Sequence, residues 1–438
     1  MLRANLGKFC AVGALLSLSV TGAFAQAASP GATIDFGTRY HSSPAGSVLI
    51  PPSSVPKPAG RARTHLLLTV PPAGYVPPKP GANVVKPAIS GSPAFAAITP
   101  GALACIYGVV APTNNCNPEF ATSVSTRGSK AVAIVDAYHY PTAMSDANYI
   151  ASAYGLPQLS TSNFVQTWVG GQPPNDTTAT QWSIEGALDI QMVHAMAPNA
   201  KIYYVEAQSD SYGDLFAAVG LATSLVAQAG GGQVTMSWGG GETSGYESYF
   251  TPPATPNYVT YFASTGDTGD TSYGNPSAGY PAFSPQVMAV GGTSAVFDQN
   301  LNYVGPKTWQ SGGTGVSQLF TRPSYQNSVA SVVGSTRGVP DVSAIANPAT
   351  PVLIYNSWLY GPELFYVGGT SVASPVVAGL VNALNIFEPT TNALLQTAYA
   401  NANNPGYFVD VTYGFCGPYE YYNATAGYDI CTGLGTPK

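Results

Sequence analysis

The chain has 438 residues, enough for one large domain or two ordinary ones, and only 8% of them are charged. A net charge of −6 without any run of Lys or Arg argues against a nucleic-acid partner. The 48 glycines and 38 prolines describe a loop-rich, compact exported protein better than a cytosolic enzyme.

Residues 1–25 read as a signal peptide: Arg3 and Lys8 give the positive end, residues 11–20 the apolar core, and Ala23-Phe24-Ala25 the cleavage site. That core is too short to span a bilayer, and no later stretch reaches about 18 uninterrupted apolar residues, so no membrane partner is expected. Residues 26–95 read as a poorly structured, Pro-rich leader or reduced propeptide, in which 65–70 is the one strand-like run. Residues 96–438 form the expected folded domain.

Strand and helix signals then alternate. Apolar runs at 131–135, 201–205, 234–237, 258–264 and 287–290 are of buried-strand type, and helices are expected over 144–154, 181–196 and 214–228. Such alternation predicts an α/β fold with a doubly wound, mostly parallel sheet flanked by helices. Functional residues then belong at the C-terminal ends of the strands. Four cysteines follow the signal peptide; in an exported chain they favour disulfides, and the local pairs Cys105–Cys116 and Cys416–Cys431 are expected among three connectivities. A zinc site is the alternative, though neither pair has a C-x₂-C spacing or a nearby His.

Four stretches carry chemistry. Gly368-Gly369-Thr370-Ser371 opens an apolar, small-residue helix over 372–386, so Ser371 faces unpaired N–H groups at a helix mouth, where negative charge is stabilised. Pro375 is expected within that helix's first turn. The bland reading is an N-cap. Glu185 and Asp189 stand one helical turn apart on one face, and a helix that buries both must share a proton between them; the bland reading is a solvated face. Residues 261–270 carry Asp267 to the end of a buried strand, where a simple Asx-turn is the alternative. Asp410 and Asp429 bracket a Gly- and Tyr-rich loop suited to a hard cation. Of the histidines, His41 and His65 lie in the leader, and only His139 and His194 offer a conventional Ser-His-Asp base.

From about Thr99 to the end, these stretches resemble the sedolisins, or serine-carboxyl peptidases, which include the tripeptidyl-peptidases. The resemblance rests on Gly369-Thr370-Ser371 through Pro375, on Glu185 and Asp189 followed by Ala197-Pro198, and on Ser237-Trp238-Gly239. It rests also on Thr265-Gly266-Asp267-Thr268-Gly269, where threonine replaces a serine, and on Arg337 with 340–344. It implies a subtilisin-like fold and an acid-acting peptidase that hydrolyses peptides or denatured proteins; a monomer is expected. Ser371 would be the nucleophile, Glu185 the general base and acid, Asp189 its proton-sharing partner, and Asp267 part of the oxyanion hole. Ser237, Trp238 and Gly239 would line the cleft and pair with substrate backbone, and Asp136 would be a supporting acid. The resemblance also implies a C-terminal calcium-binding loop, with Ca²⁺ held by Asp410, Val411, Thr425, Gly427 and Asp429; the alternative is that Cys416–Cys431 alone holds it. A tyrosine, Tyr428, stands where the family commonly has tryptophan, and the leader is far shorter than the family's folded prodomain. The rival readings are an inactive binding protein on the same scaffold and a conventional Ser-His-Asp hydrolase.

Overall fold

The computed structural model describes residues 36–79, 95–251, 258–269, 279–417 and 422–438. The signal-peptide reading of 1–25 lies outside them.

The first described segment carries α1 (Phe36–Ser42), β1 (Val48–Leu49), β2 (Arg63–Thr64) and β3 (Leu67–Thr69). Residues 36–79 therefore do not form the unstructured leader that their prolines suggest. They belong to one compact unit with the rest of the described chain, and Leu66 and Leu68 are fully buried. The prolines cluster outside the two short strands, which leaves the ladder donors of 63–69 intact.

The α/β core then follows in chain order: α2 (Pro100–Ile106), β4 (Ala131–Ala137), α3 (Ala143–Tyr154), β5 (Phe164–Trp168), α4 (Trp182–Met196), β6 (Lys201–Ala207), α5 (Tyr212–Gln228), β7 (Gly232–Met236), β8 (Trp238–Gly239), β9 (Val259–Ser264) and β10 (Met288–Phe297). β11 (Tyr303–Thr308) completes an eight-stranded sheet of order β11-β10-β9-β7-β4-β6-β5, with β14 (Val342–Ile345) also on β10. All its pairings are parallel except β10–β11. The strand order turns back at β4, which opens a crevice at the strand C-termini. Beyond the core lie β12 (Gly315–Thr321), β13 (Thr336–Val339), β15 (Val352–Asn356), β16 (Glu363–Gly368), α7 (Thr370–Ala383) and α8 (Thr391–Ala400), with the one-turn α6 (Ala330–Val333) before β13.

Period-two alternation divides β4 between two cores. Ala131, Ala133, Val135 and Ala137 pack with α5, whereas Val132 and Ile134 face the core that contains α4 and α7. Asp136 shares the phase of Val132 and Ile134, so it points at α4. In β6, Glu206 shares the phase of Ile202 and Tyr204 and points the same way. α4 and α7 are buried on every side and pack against each other. Gly379 permits the close approach, because a Cβ there would lie 2.8 Å from Met196 Cβ. Two sequence motifs nearly 200 positions apart thereby meet across one helix contact.

The disulfides Cys105–Cys116 and Cys416–Cys431 pair as the spacing predicts. Among the described residues no helix is long and apolar enough to cross a membrane.

Candidate active site

β16 hands the chain to α7 through Gly368 and Gly369. At Gly369 φ is +102°, and a Cβ would fall against the His65 carbonyl and 2.7 Å from Asp267 Oδ2, so only glycine fits. Ser371 is the second residue of α7, fully buried. Pro375 is the sixth residue, beyond the first turn where the sequence places it. A proline there has no N–H for the Ser371 carbonyl. Ser237 Oγ lies 3.3 Å from that carbonyl oxygen and can donate to it when its proton is not given to Asp189.

α4 brings the two acids to this mouth. Ser371 Oγ donates to Glu185 Oε2 at 3.0 Å, and Ser237 Oγ donates to Asp189 Oδ1 at 2.7 Å. Glu185 Oε1 and Asp189 Oδ2 find no hydrogen-bond partner among the described residues. The solvated-face reading is excluded, since both acids are fully buried. Burial, followed by repulsion from Asp189 and Asp136, raises the Glu185 carboxyl well above its ordinary pKa. Burial and Asp136 do the same to Asp189.

Asp267 closes the other side. Its Oδ1 accepts from Thr370 N at 2.8 Å and from Thr370 Oγ1 at 3.0 Å, while Gly266 N donates to Thr370 Oγ1 at 3.0 Å. Oδ2 makes no hydrogen bond among the described residues. Burial pushes the carboxyl up to about 7, against the lowering effect of the Thr370 bonds and of the Arg63 charge.

Behind the pair stands a second acidic set whose extent the sequence did not reveal. Asp136 is fully buried with neither oxygen hydrogen-bonded among the described residues. Burial and the neighbouring Glu206 raise its carboxyl strongly. Glu206 accepts from Tyr140 N at 2.8 Å and from Gln166 Nε2 at 2.7 Å, and pairs with His139 Nδ1 at 2.8 Å. Asp136 and Glu206 stand opposite each other in the register of β4 and β6. His139 is thus held by Glu206, and burial lowers the His194 imidazole to about 4. Neither histidine bonds to Ser371, so the conventional triad finds no support in the geometry.

The crevice is filled by the chain itself. β2 pairs antiparallel with β8, Arg63 opposite Gly239 and Thr64 opposite Trp238. His65 N donates to Ser237 O at 3.3 Å, and Ser371 N donates to His65 O at 3.0 Å. His65 N also lies 3.0 Å from Ser371 Oγ, while its ring nitrogen Nδ1 lies 2.7 Å from Ser264 Oγ. β3 then continues as a partner of β16, Leu67 opposite Gly368. Only the backbone of Trp238 lines the cleft; its indole is buried and donates to Val135 O at 2.7 Å.

In the C-terminal loop, Gly427 N donates to Asp410 Oδ2 at 2.9 Å and Thr425 N to Asp429 Oδ2 at 3.1 Å. Asp429 Oδ1 also accepts from Cys431 N and Thr432 N, both at 2.9 Å. Val411 is buried beside Asp410. No group of three or more His, Cys, Asp or Glu side chains gathers among the described residues. A cation here would therefore draw on two carboxylates and on carbonyl oxygens. That is the donor chemistry of a hard ion.

The subtilase family model matches residues 168–407. Kumamolisin of Bacillus sp. (strain MN-32) is 32% identical over 321 residues, covering 67% of this chain and 56% of that protein. Sedolisin of Pseudomonas sp. (strain 101) is 34% identical over 200 residues, covering 40% of this chain and 33% of that protein. The chain thus spans between a third and a little over half of these relatives. Among solved structures, Pseudomonas sedolisin, a serine-carboxyl proteinase complexed with two molecules of pseudo-iodotyrostatin, superposes with a TM-score of 0.64 at 25% identity. That match covers 78% of this chain and 95% of the other.

Proposed function

Because the chain belongs to the subtilase family and, within it, to the sedolisins, we propose that it is an exported, acid-acting serine-carboxyl peptidase. It would hydrolyse peptides or denatured proteins, as an endopeptidase or a tripeptidyl-peptidase. The observation that carries this reading is the 3.0 Å hydrogen bond from Ser371 Oγ to Glu185 Oε2, made in a fully buried site.

In the proposed mechanism Ser371 Oγ attacks the peptide carbonyl carbon and its proton passes to Glu185. The oxyanion is held by Ser371 N, which already donates to a peptide carbonyl, and by Asp267 Oδ2, which can donate only when protonated. Glu185 then returns the proton to the leaving amine, and water hydrolyses the ester by the reverse path. Asp189 shares the proton of Glu185, and Ser237 keeps Asp189 oriented. Glu185, Asp189 and Asp136 repel one another, so the first charge among them comes most easily. A single charge is all that the base function requires.

Two disulfides support export, since such bonds persist in oxidising compartments. Asp410 and Asp429, with carbonyls of Val411, Thr425 and Gly427, would hold Ca²⁺ and tie the C-terminal loop to the body. The ion's contribution would be structural.

The test is degradation of denatured protein at about pH 3 to 5, with cleavage positions mapped by mass spectrometry. Turnover that vanishes in Ser371→Ala is expected. Turnover undiminished in that variant would exclude Ser371 as nucleophile, and none in the wild type would favour the inactive binding protein.

A further inference from the structure

Residues 62–68 lie in the crevice as an extended peptide, and each backbone contact fixes their register. The N–H of His65 reaches the carbonyl of Ser237, Arg63 faces Gly239 two residues upstream, and the His65 carbonyl receives the Ser371 N–H. The bond presented to Ser371 is therefore His65–Leu66. On either side the strand is braced by a turn at Pro52–Ser54: Ser54 Oγ lies 2.7 Å from Thr64 Oγ1 and receives Leu66 N–H at 3.2 Å.

The pocket that receives the His65 side chain is fully enclosed, with both His65 and Ser264 1% exposed. One wall is Gly239, where a Cβ would stand 2.9 Å from His65 Cε1. The other carries the Ser264 hydroxyl, 2.7 Å from His65 Nδ1. An aliphatic or phenyl side chain in the same place would leave that buried hydroxyl without the bond it makes here, and unpaired buried polar groups discriminate strongly.

We infer that this cleft selects histidine as the residue before the scissile bond and that Ser264 is the residue that sets this preference. The inference rests on the peptidase reading above. The substrate class is a peptide of the pattern Arg-Thr-His-Leu, of which the chain carries one copy in its own cleft. In such a peptide the C–N bond between His and Leu breaks. The histidine carbonyl carbon passes to Ser371 Oγ, the Ser371 proton reaches the leucine amine through Glu185, and water then releases the histidine carboxylate and restores Ser371.

The test uses the full chain at acid pH with synthetic peptides Ala-Arg-Thr-X-Leu-Leu-Leu-Thr, where X is His, Phe, Leu or Ala, beside a denatured-protein digest as reference. Expected is cleavage at X–Leu with kcat/KM for His about tenfold or more above Phe, a ratio that collapses towards one in Ser264→Ala. A ratio of two substrates does not depend on the fraction of folded enzyme, so a poorly folding variant still yields a decisive number. Equal rates for His and Phe, cleavage at other bonds, or an unchanged ratio in Ser264→Ala would overturn the inference while leaving the digest intact. Failure of the digest itself would remove the peptidase reading, and this inference with it.

Discussion

Ser237 Oγ lies 3.3 Å from the carbonyl oxygen of Ser371, the acceptor that Pro375 leaves without a helical donor. The same hydroxyl is 2.7 Å from Asp189 Oδ1. One hydroxyl therefore stands between the turn that carries Ser371 and the acid that backs Glu185, with one proton to give to either. Ser237→Ala is expected to lower kcat by about ten- to a hundredfold, the loss of one buried hydrogen bond to a charged network. Steady-state kinetics that separate kcat from KM check this.

Asp267 gives the alkaline limb. Burial holds its carboxyl protonated up to about 7, and the proposed oxyanion donor is the protonated form. Activity is expected to fall as pH rises through about 7. On the acid side it should fall as the raised carboxyls of Glu185 and Asp189 take up their last proton. An asparagine amide in the same position would donate at any pH, so Asp267→Asn should lose the alkaline limb while keeping the acid one. A pH–rate profile of both proteins decides it.

The same carboxyls set a pH dependence of stability. Asp136, Glu185, Asp189 and Asp267 all have pKa values raised by folding. The folded state therefore binds protons that the unfolded state has released, and stability falls with rising pH. For Asp267 that window runs from its ordinary 3.8 to about 7, at up to about 1.4 kcal/mol per pH unit. Tm is expected to be highest near pH 4 and to decline towards neutrality. Asp136→Asn should flatten the decline, because it removes a buried acid whose two oxygens make no hydrogen bond among the described residues.

Much of this was legible in the residues. The buried runs at 131–135, 201–205 and 258–264 became β4, β6 and β9, because apolar strands covered on both faces carry the strongest local signal. Strand β5, half polar at Phe164–Trp168, and the outer strands β11 to β13 carry no such signal. Ser371, Glu185, Asp189 and Asp267 do come together. The placement of His65 was not legible, since its partners Ser237, Ser264 and Ser371 are all more than 170 positions away. The strand-like run at 65–70 was legible, but not its pairing of β2 with β8 and of β3 with β16. Asp136 and Glu206 meet only through strand register, which a linear reading does not provide.

Removal of calcium offers a further check. Asp410 and Asp429 converge on Gly427 and Thr425, and Cys416–Cys431 closes the same loop. Chelation is expected to lower Tm by several degrees with the disulfide intact. Asp410→Ala should abolish both the calcium dependence and the heat of a calcium titration. No heat from chelator-stripped wild type would assign the loop to the disulfide alone.

The central claim is that a carboxylate, Glu185, handles the proton of Ser371. The direct measurement is kcat/KM of Glu185→Gln against wild type across pH 3 to 8, on a substrate the wild type cleaves. Glutamine keeps the shape and cannot accept the proton, so a loss of about 10³-fold or more at every pH is predicted. Activity within tenfold of wild type, or activity returning above pH 6.5 as a histidine would confer, would contradict it.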